Sequence, residues 1–406
     1  MPRYLHIQAV ISLFLSGISR GENAELDQIG VQVVQANPEL IAARFMIEEA
    51  KGRQLGSGRL MNPEIEAGGN RMTEGREGGF TIGLMQKFPI TSRLQLEKAV
   101  TSAQVAAAEA EVANMTRKLI AEAETMTVKI LAMRAEAAVQ AAQATLAEKL
   151  AEITNARAAA NESAIDAGQM RLEAGLQRNA IRKTLAEIAA MTESLKPMLG
   201  LEANATLEIE GELPAARFPS LAVANDGRPD IRAALHRVEA AGHSLNLAKA
   251  RKWEDIAAGV MVENSRRMDE PMGLRNETMI GVKISIPLPF WNRNQGEIAE
   301  TTAMRSRARA EVQALRLKAS GEVSAAKREM DLLFPFLTES TGELLPQARR
   351  QIELVRESYI NNKASVQDIL KARDQLQMVE MERVKALRDF HLARVRWKAA
   401  LGRNRP

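Results

Sequence analysis

Two sets of residues in this chain have the types and spacing to do chemistry. His236, Glu239 and His243 fall at i, i+3 and i+7, on one helical face. Two imidazoles and a carboxylate so placed could ligate a metal. A solvated stripe on a helix explains the same pattern, and we assign no metal there. The second set is repeated. Asp166 recurs as Asp368 and Arg171 as Arg373, each 202 residues further on. Acid and base five residues apart sit slightly off a common helical face, so pairing between helices is favoured over an intrahelical bridge. Copies of Asp368 around a threefold axis would form a negative ring that favours cations and can bind them. Catalysis has no comparable signal: there are four His in all and no Gly-x4-Gly-Lys phosphate loop. The absence of cysteine excludes thiol nucleophiles, zinc-thiolate sites and disulfides. No catalytic residue and no cofactor is assigned.

The elements that must carry these residues are long helices. Aromatics are only 3% of the 406 residues, while Ala, Glu, Arg, Leu and Gln fill extended tracts. That composition belongs to long or coiled helices rather than to thick aromatic cores. Lys and Arg (55) nearly balance Asp and Glu (51) and interleave with them, so the basic pI is a weak argument for nucleic acid, and none is expected as a partner. From about Leu94 to Ala160 there is neither Pro nor Gly, enough for roughly 100 Å of helix. Val105, Val112, Leu119, Met126 and Met133 form a seven-residue row, as do Ala372, Val379, Ala386, Ala393 and Ala400. Such rows keep one seam against a neighbouring helix, and small Ala seams suit a wall one helix thick. Pro335 and Pro346 predict a break near Leu333-Phe334-Pro335-Phe336.

The chain is internally duplicated. Pro38-Glu39-Leu40-Ile41-Ala42-Ala43 returns as Pro229-Asp230-Ile231-Arg232-Ala233-Ala234, and Leu199-Gly200 returns as Leu401-Gly402. The offset grows slowly along the chain, as insertions in turns would make it grow. Each half reads as a helix, two alternating segments, and a long helical tract that turns and comes back. We expect a signal segment over 1–19, with Ala9 to Ile18 as its apolar run and Gly17-Ile18-Ser19 as its cleavage site. A first repeat follows over 25–200, with strands near 62–70 and 80–88 and a helical hairpin over about 94–200. A linker occupies 201–227. The second repeat covers 228–402, with strands near 254–264 and 278–287 and a helical tract over about 294–402.

The alternating segments constrain assembly. Ile280, Val282, Ile284 and Ile286 share one face, with Met279, Gly281, Lys283 and Ser285 on the other. Phe80, Ile82, Leu84 and Phe88 alternate similarly. Segments of about nine residues approach what a tilted strand needs to cross a bilayer, whereas no stretch is long and apolar enough for a spanning helix. Four strands cannot close a barrel, and open edges are not tolerated in hydrocarbon. Several copies must share one wall, and three copies would supply about twelve strands. A soluble coiled-coil scaffold without transport activity explains the heptads but not the two equivalent hairpins.

Taken together these stretches resemble the TolC family of outer-membrane efflux proteins, over nearly the whole chain after residue 25. The resemblance rests on Asn37-Pro38-Glu39-Leu40, on Ile280-Gly281 with Ile286-Pro287-Leu288-Pro289-Phe290 and Asn292-Arg293-Asn294, and most specifically on Leu344-Leu345-Pro346-Gln347-Ala348, Tyr359 and Val366-Gln367-Asp368-Ile369-Leu370-Lys371-Ala372. In style they are closest to the heavy-metal efflux branch, CzcC/CusC-like. The resemblance implies a mainly α fold with a small β part, a homotrimer forming an α-helical barrel in the periplasm and a shared 12-stranded β-barrel in outer-membrane lipid. It implies a passive exit duct for metal ions or small toxic compounds, docked to a periplasmic adaptor and an inner-membrane pump. It further implies a constriction at the periplasmic helix ends. Asp166, Asp368, Arg171, Arg373 and Tyr359 are the candidates for that gate, and Asn161, Asn362 and Lys363, at the helix tips, for adaptor contact. The family's gate-linking Arg position is Ala364 here, and a second acidic position is Lys371.

Overall fold

A computed structural model of the chain describes residues 22–72, 76–158, 164–218, 227–269, 272–361 and 363–402. The expected signal segment lies outside them. The elements in order are β1 (Glu22–Ala24), α1 (Ile29–Ala36), α2 (Pro38–Gly56), β2 (Glu64–Arg71), β3 (Gly78–Phe88), α3 (Arg93–Ala158), α4 (Ala164–Leu195), β4 (Leu207–Ile209), α5 (Pro229–Ala250), β5 (Ile256–Asp269), β6 (Gly273–Ser285), α6 (Gln295–Glu339), α7 (Leu345–Ile360) and α8 (Val366–Ala400). The protein is mainly helical with a small β part. The run α2–β2–β3–α3–α4 returns as α5–β5–β6–α6–α7–α8, a helix, a hairpin and long helices each time. The 66 residues of α3 make about 100 Å of helix.

The chain divides into two compact units. One gathers the described residues up to Ala42, Asn114–Arg228, and those from Lys318 on. It is helical apart from β1 and β4, which pair in parallel. The seven-residue rows face its cores: Leu119 is buried with Met126 and Met133 packed beside it, and Ala372, Ala386, Ala393 and Ala400 are buried along α8. The repeated sequence anchors meet here. Asn37 caps α2, its Oδ1 accepting from the Leu40 N–H at 3.0 Å and its Nδ2 donating to the Met198 carbonyl at 2.9 Å. Gly200 and Gly402 both adopt left-handed backbone, at φ +69° and +71°. A Cβ on Gly200 would collide with the Ala36 carbonyl, and one on Gly402 would lie 2.9 Å from Arg228 Cα. Each Leu-Gly thus tucks a chain turn against the residues leading into a Pro-initiated helix.

One expectation for this unit is corrected. The helix does not break at Pro335; α6 runs through it to Glu339. Pro335 is exposed, so the ring and the carbonyl it frees face away from the packed side. The irregularity comes instead at Ser340–Leu344, a five-residue π-helical widening ahead of Pro346. The residue four before Pro346, whose carbonyl its ring would strike in a regular helix, is Gly342, inside that widening. Buried residues flank the bulge at seven-residue spacing: Val323, Met330 and Leu337 before it, Leu345, Ile352 and Tyr359 after it.

The other unit comprises Ala43–Ala113 and Pro229–Leu317. It holds a four-stranded antiparallel sheet in the order β2-β3-β5-β6. β5 runs to Asp269 and β6 starts at Gly273, so this hairpin is longer than its hydrophobic alternation indicated; polar Asn264, Ser265 and Arg266 continue the ladder. The foot of the sheet is tied to its helices by charge. Arg93 meets Asp255 at 2.7 Å and Glu97 at 2.9 Å, all three largely shielded from solvent, and Arg251 reaches Glu97 and Glu297 at 3.4 and 3.2 Å.

Candidate functional site

Two surfaces qualify. The first is the sheet. Its register aligns Ile65, Leu84, Val260 and Val282 in one row across all four strands, and Ala67, Ile82, Val262 and Ile280 in the next. Period-2 geometry sends every one of these side chains to the same face. That face is bare: Ile280 is 82% exposed, Val282 72% and Ile65 74%. The apolar surface continues past β6 through Ile286, Leu288 and Phe290 to Trp291, which is 90% exposed and meets Phe290 edge-to-face at 6.0 Å. An aliphatic sheet face of this extent, ending in an exposed indole, fits an apolar solvent with an aqueous boundary. The opposite face carries Glu64, Glu66, Thr81, Lys87, Glu263 and Lys283. No helix among the described residues is long and apolar enough to cross a membrane.

The second surface is the α4/α8 region of the helical unit. Asp368 sits at the third position of α8 and forms a capping box with Ser365. Its Oδ2 accepts from the Ser365 hydroxyl at 2.7 Å and from the Ser365 N–H at 2.9 Å, while the Asp368 N–H donates to Ser365 Oγ at 3.2 Å. The Ser365 hydroxyl, and after it the Ser365 N–H, hold this exposed carboxyl below the usual carboxylate range. Among the described residues no arginine pairs with Asp368. Arg373, only 3% exposed in its side chain, meets Glu173 on α4 at 2.9 Å and Asp374 at 2.8 Å. One turn on, Gln177 Nε2 donates to Gln377 Oε1 at 3.2 Å. Residues 173/177 and 373/377 thus form two rungs between α4 and α8. Arg171 stays near the surface and donates to Asn155 Oδ1 on α3 at 2.8 Å. Tyr359, expected at a constriction, is buried with Ile352, Val366 and Ile369 in the single chain. Its spacing on the apolar seam of α7 explains why. Lys363 is exposed at the turn before α8. Asn161, Asn362 and the side chain of Asp166 lie outside the described residues; the Asp166 backbone belongs to α4.

Inspection of the sequence missed Ser365, Glu173, Gln177 and Gln377. Ser365-x-x-Asp368 ahead of an apolar run was a readable capping signal. The α4/α8 rungs have no local signature, because the partners are about 200 residues apart in sequence. In α5, Glu239 lies between His236 and His243, at 3.4 and 3.9 Å. No group of three or more metal-binding side chains with suitable geometry occurs among the described residues.

Residues 220–403 match the family model described as outer membrane efflux protein. No functionally curated protein matches the chain. Three solved structures share the fold. The outer membrane protein VceC of Vibrio cholerae has a TM-score of 0.76 at 19% identity, covering 93% of this chain and 96% of its own. CusC, whose structures describe folding and transmembrane channel formation, has 0.76 at 16%, covering 93% and 92%. The outer-membrane channel OprN has 0.75 at 16%, covering 93% and 89%.

Proposed function

We propose that this chain is a TolC-type outer-membrane efflux protein, a reading that the partial family match and the shared fold support, and that three copies form the passive exit duct of a tripartite efflux system. The carrying observation is the bare apolar face of a four-stranded sheet whose edge strands, β2 and β6, each have one partner. Lipid would cover that face, and neighbouring copies would cover the edges, giving about twelve strands around one barrel. The helical units would stand in the periplasm and meet an adaptor and an inner-membrane pump through the turns near Asn161, Asn362 and Lys363. Energy would come from the pump. The family branch that the sequence resembles favours metal ions or small toxic compounds as cargo.

The assembly is testable because the chain has no cysteine. With Ile65→Cys on β2 and Ile284→Cys on β6, a thiol-reactive cross-linker should convert the outer-membrane protein into covalent species up to a trimer. Recovery of an unlinked monomer from the soluble fraction would sink the proposal.

Asp368 and Asp166 remain our candidates for a carboxylate ring at the constriction, with the Arg373–Glu173 and Gln177–Gln377 rungs tying α8 to α4 beside it. Asp368 also caps its helix, so stability and conduction must be separated. Ser365→Ala should cost about 1 kcal/mol of helix stability without changing single-channel conductance. Asp368→Asn should change both conductance and block by divalent cations. Currents identical in wild type and Asp368→Asn would leave this carboxylate only its capping role.

A further inference from the structure

The polar face of the sheet holds an ion pair that crosses its full width. Lys283 Nζ on β6 lies 3.2 Å from Glu66 Oε2 on β2, although β3 and β5 run between them. In a flat sheet those edge strands stand roughly 14 Å apart, and their side chains leave the sheet at right angles. The pair can close only if the sheet is concave toward this face and nothing bulky stands in between. Glycine clears the way. Gly83 on β3 and Gly259 on β5 have no side chain, and Gly281 is next to them on β6. Met85 Sδ lies flat where a Cβ on Gly259 would be, and Met261 Cγ is 3.4 Å from the Cβ position of Gly281. A second pair, Lys87 with Glu64 at 3.1 Å, joins β2 to β3 on the same face.

We propose that Glu66 and Lys283 form a charge strap that sets the ion selectivity of the passage enclosed by this face. The inference rests on the channel reading given above. Within the strapped region two carboxylates, Glu64 and Glu66, are matched by two ammoniums, Lys87 and Lys283. Further along, Glu263 and Glu277 share the face with Arg267 and Arg275. The face is therefore close to neutral, and one substitution per copy unbalances it. Lys283 and Glu66 are each about half exposed, at 48% and 52%, so their mutual attraction is screened and adds little to stability. Their weight falls on ions passing along the wall, where a ring of uncompensated charge attracts one sign and repels the other.

The test uses purified full-length protein in planar bilayers across a potassium chloride gradient. The wild-type reversal potential, which includes the cation preference of the carboxylate ring proposed at the constriction, is the reference. Lys283→Met should move the reversal potential toward that of a cation-selective pore, and Glu66→Gln toward an anion-selective one. The Glu66→Gln/Lys283→Met double variant should return it to the wild-type value. Since the chain has no native thiol, Lys283→Cys treated with a positively charged thiol reagent should regain wild-type selectivity, and a negatively charged reagent should push it further toward cations. A conducting wild type whose reversal potential is unmoved by either single substitution overturns the strap and leaves the channel standing. Recovery of the protein as an unlinked monomer from the soluble fraction in the cross-linking test overturns both.

Discussion

Replacing Gly259 with valine should abolish the heat-resistant oligomer on gels and the β-sheet band in the infrared spectrum, while Gly68→Ala leaves both intact. The two glycines lie on the same face of the same sheet, so the comparison isolates space from propensity. A Cβ on Gly68 would have no atom within 4 Å, whereas on Gly259 it would strike both the Leu84 carbonyl and Met85 Sδ. A side chain cannot evade a backbone carbonyl that is itself held in the β3–β5 ladder. The cost should reach about 3 kcal/mol or more, at the upper end of overpacking penalties, and it falls on a central strand pair with no core beneath it to absorb the strain. Gly83, where a Cβ would lie 3.2 Å from the Val260 carbonyl, should be intermediate as alanine. Retention of the oligomer in Gly259→Val would show that the strands are not packed this closely.

The second large effect is expected on acidification, in the helical unit. His391 is fully buried. Its Nε2 lies 2.7 Å from the Pro214 carbonyl, which can only accept, so Nε2 carries the proton; Nδ1 is buried without a partner. Burial pushes the imidazole pKa down to about 4, with the Pro214 hydrogen bond opposing and Arg394 and Lys398 adding to the depression. The sign follows. The folded pKa is below the unfolded one, so the contribution of His391 is complete above pH ~6.5 and is lost as pH falls through the folded value near 4. The loss is at most about 3 kcal/mol. Glu124, whose carboxyl is pushed up by burial, works in the opposite direction, so the wild-type curve alone is ambiguous. The difference between wild type and His391→Gln removes that background. Helical melting by circular dichroism in detergent should show wild type losing stability relative to the variant between pH 6.5 and 4. Parallel melting curves would discard this account of His391.

What could be read from the sequence was whatever has a local cause. Pro38 and Pro229 open helices because proline fits a first turn, and Leu199-Gly200 and Leu401-Gly402 close them because only glycine sits comfortably at positive φ. Those constraints act within a few residues, so the duplication was visible as matched anchors. The alternation of Ile280 to Ile286 revealed the strand face for the same reason. What stayed hidden depends on distant partners. The five-residue spacing of Arg373 from Asp368 favours a pair between helices, but nothing near Arg373 names its partner, Glu173, about 200 positions back. Tyr359 was named for a constriction by resemblance alone, and its burial follows from its place on a seven-residue apolar row. The strap between Glu66 and Lys283 needs the strand order, which no stretch of either strand encodes.

The π-helical widening at Ser340–Leu344 keeps two stretches of helix in phase with their cores. Val323, Met330 and Leu337 keep a seven-residue step, and so do Leu345, Ile352 and Tyr359, yet the step joining the two series is eight. An additional residue in a regular helix would swing all that follows by about 100° and carry the second series out of its core. The widened turn swallows that residue, so both series remain in phase with their neighbours. Ser340–Leu344 thus takes up the one residue by which this tract departs from a count by sevens, and lets one run of helix serve two cores.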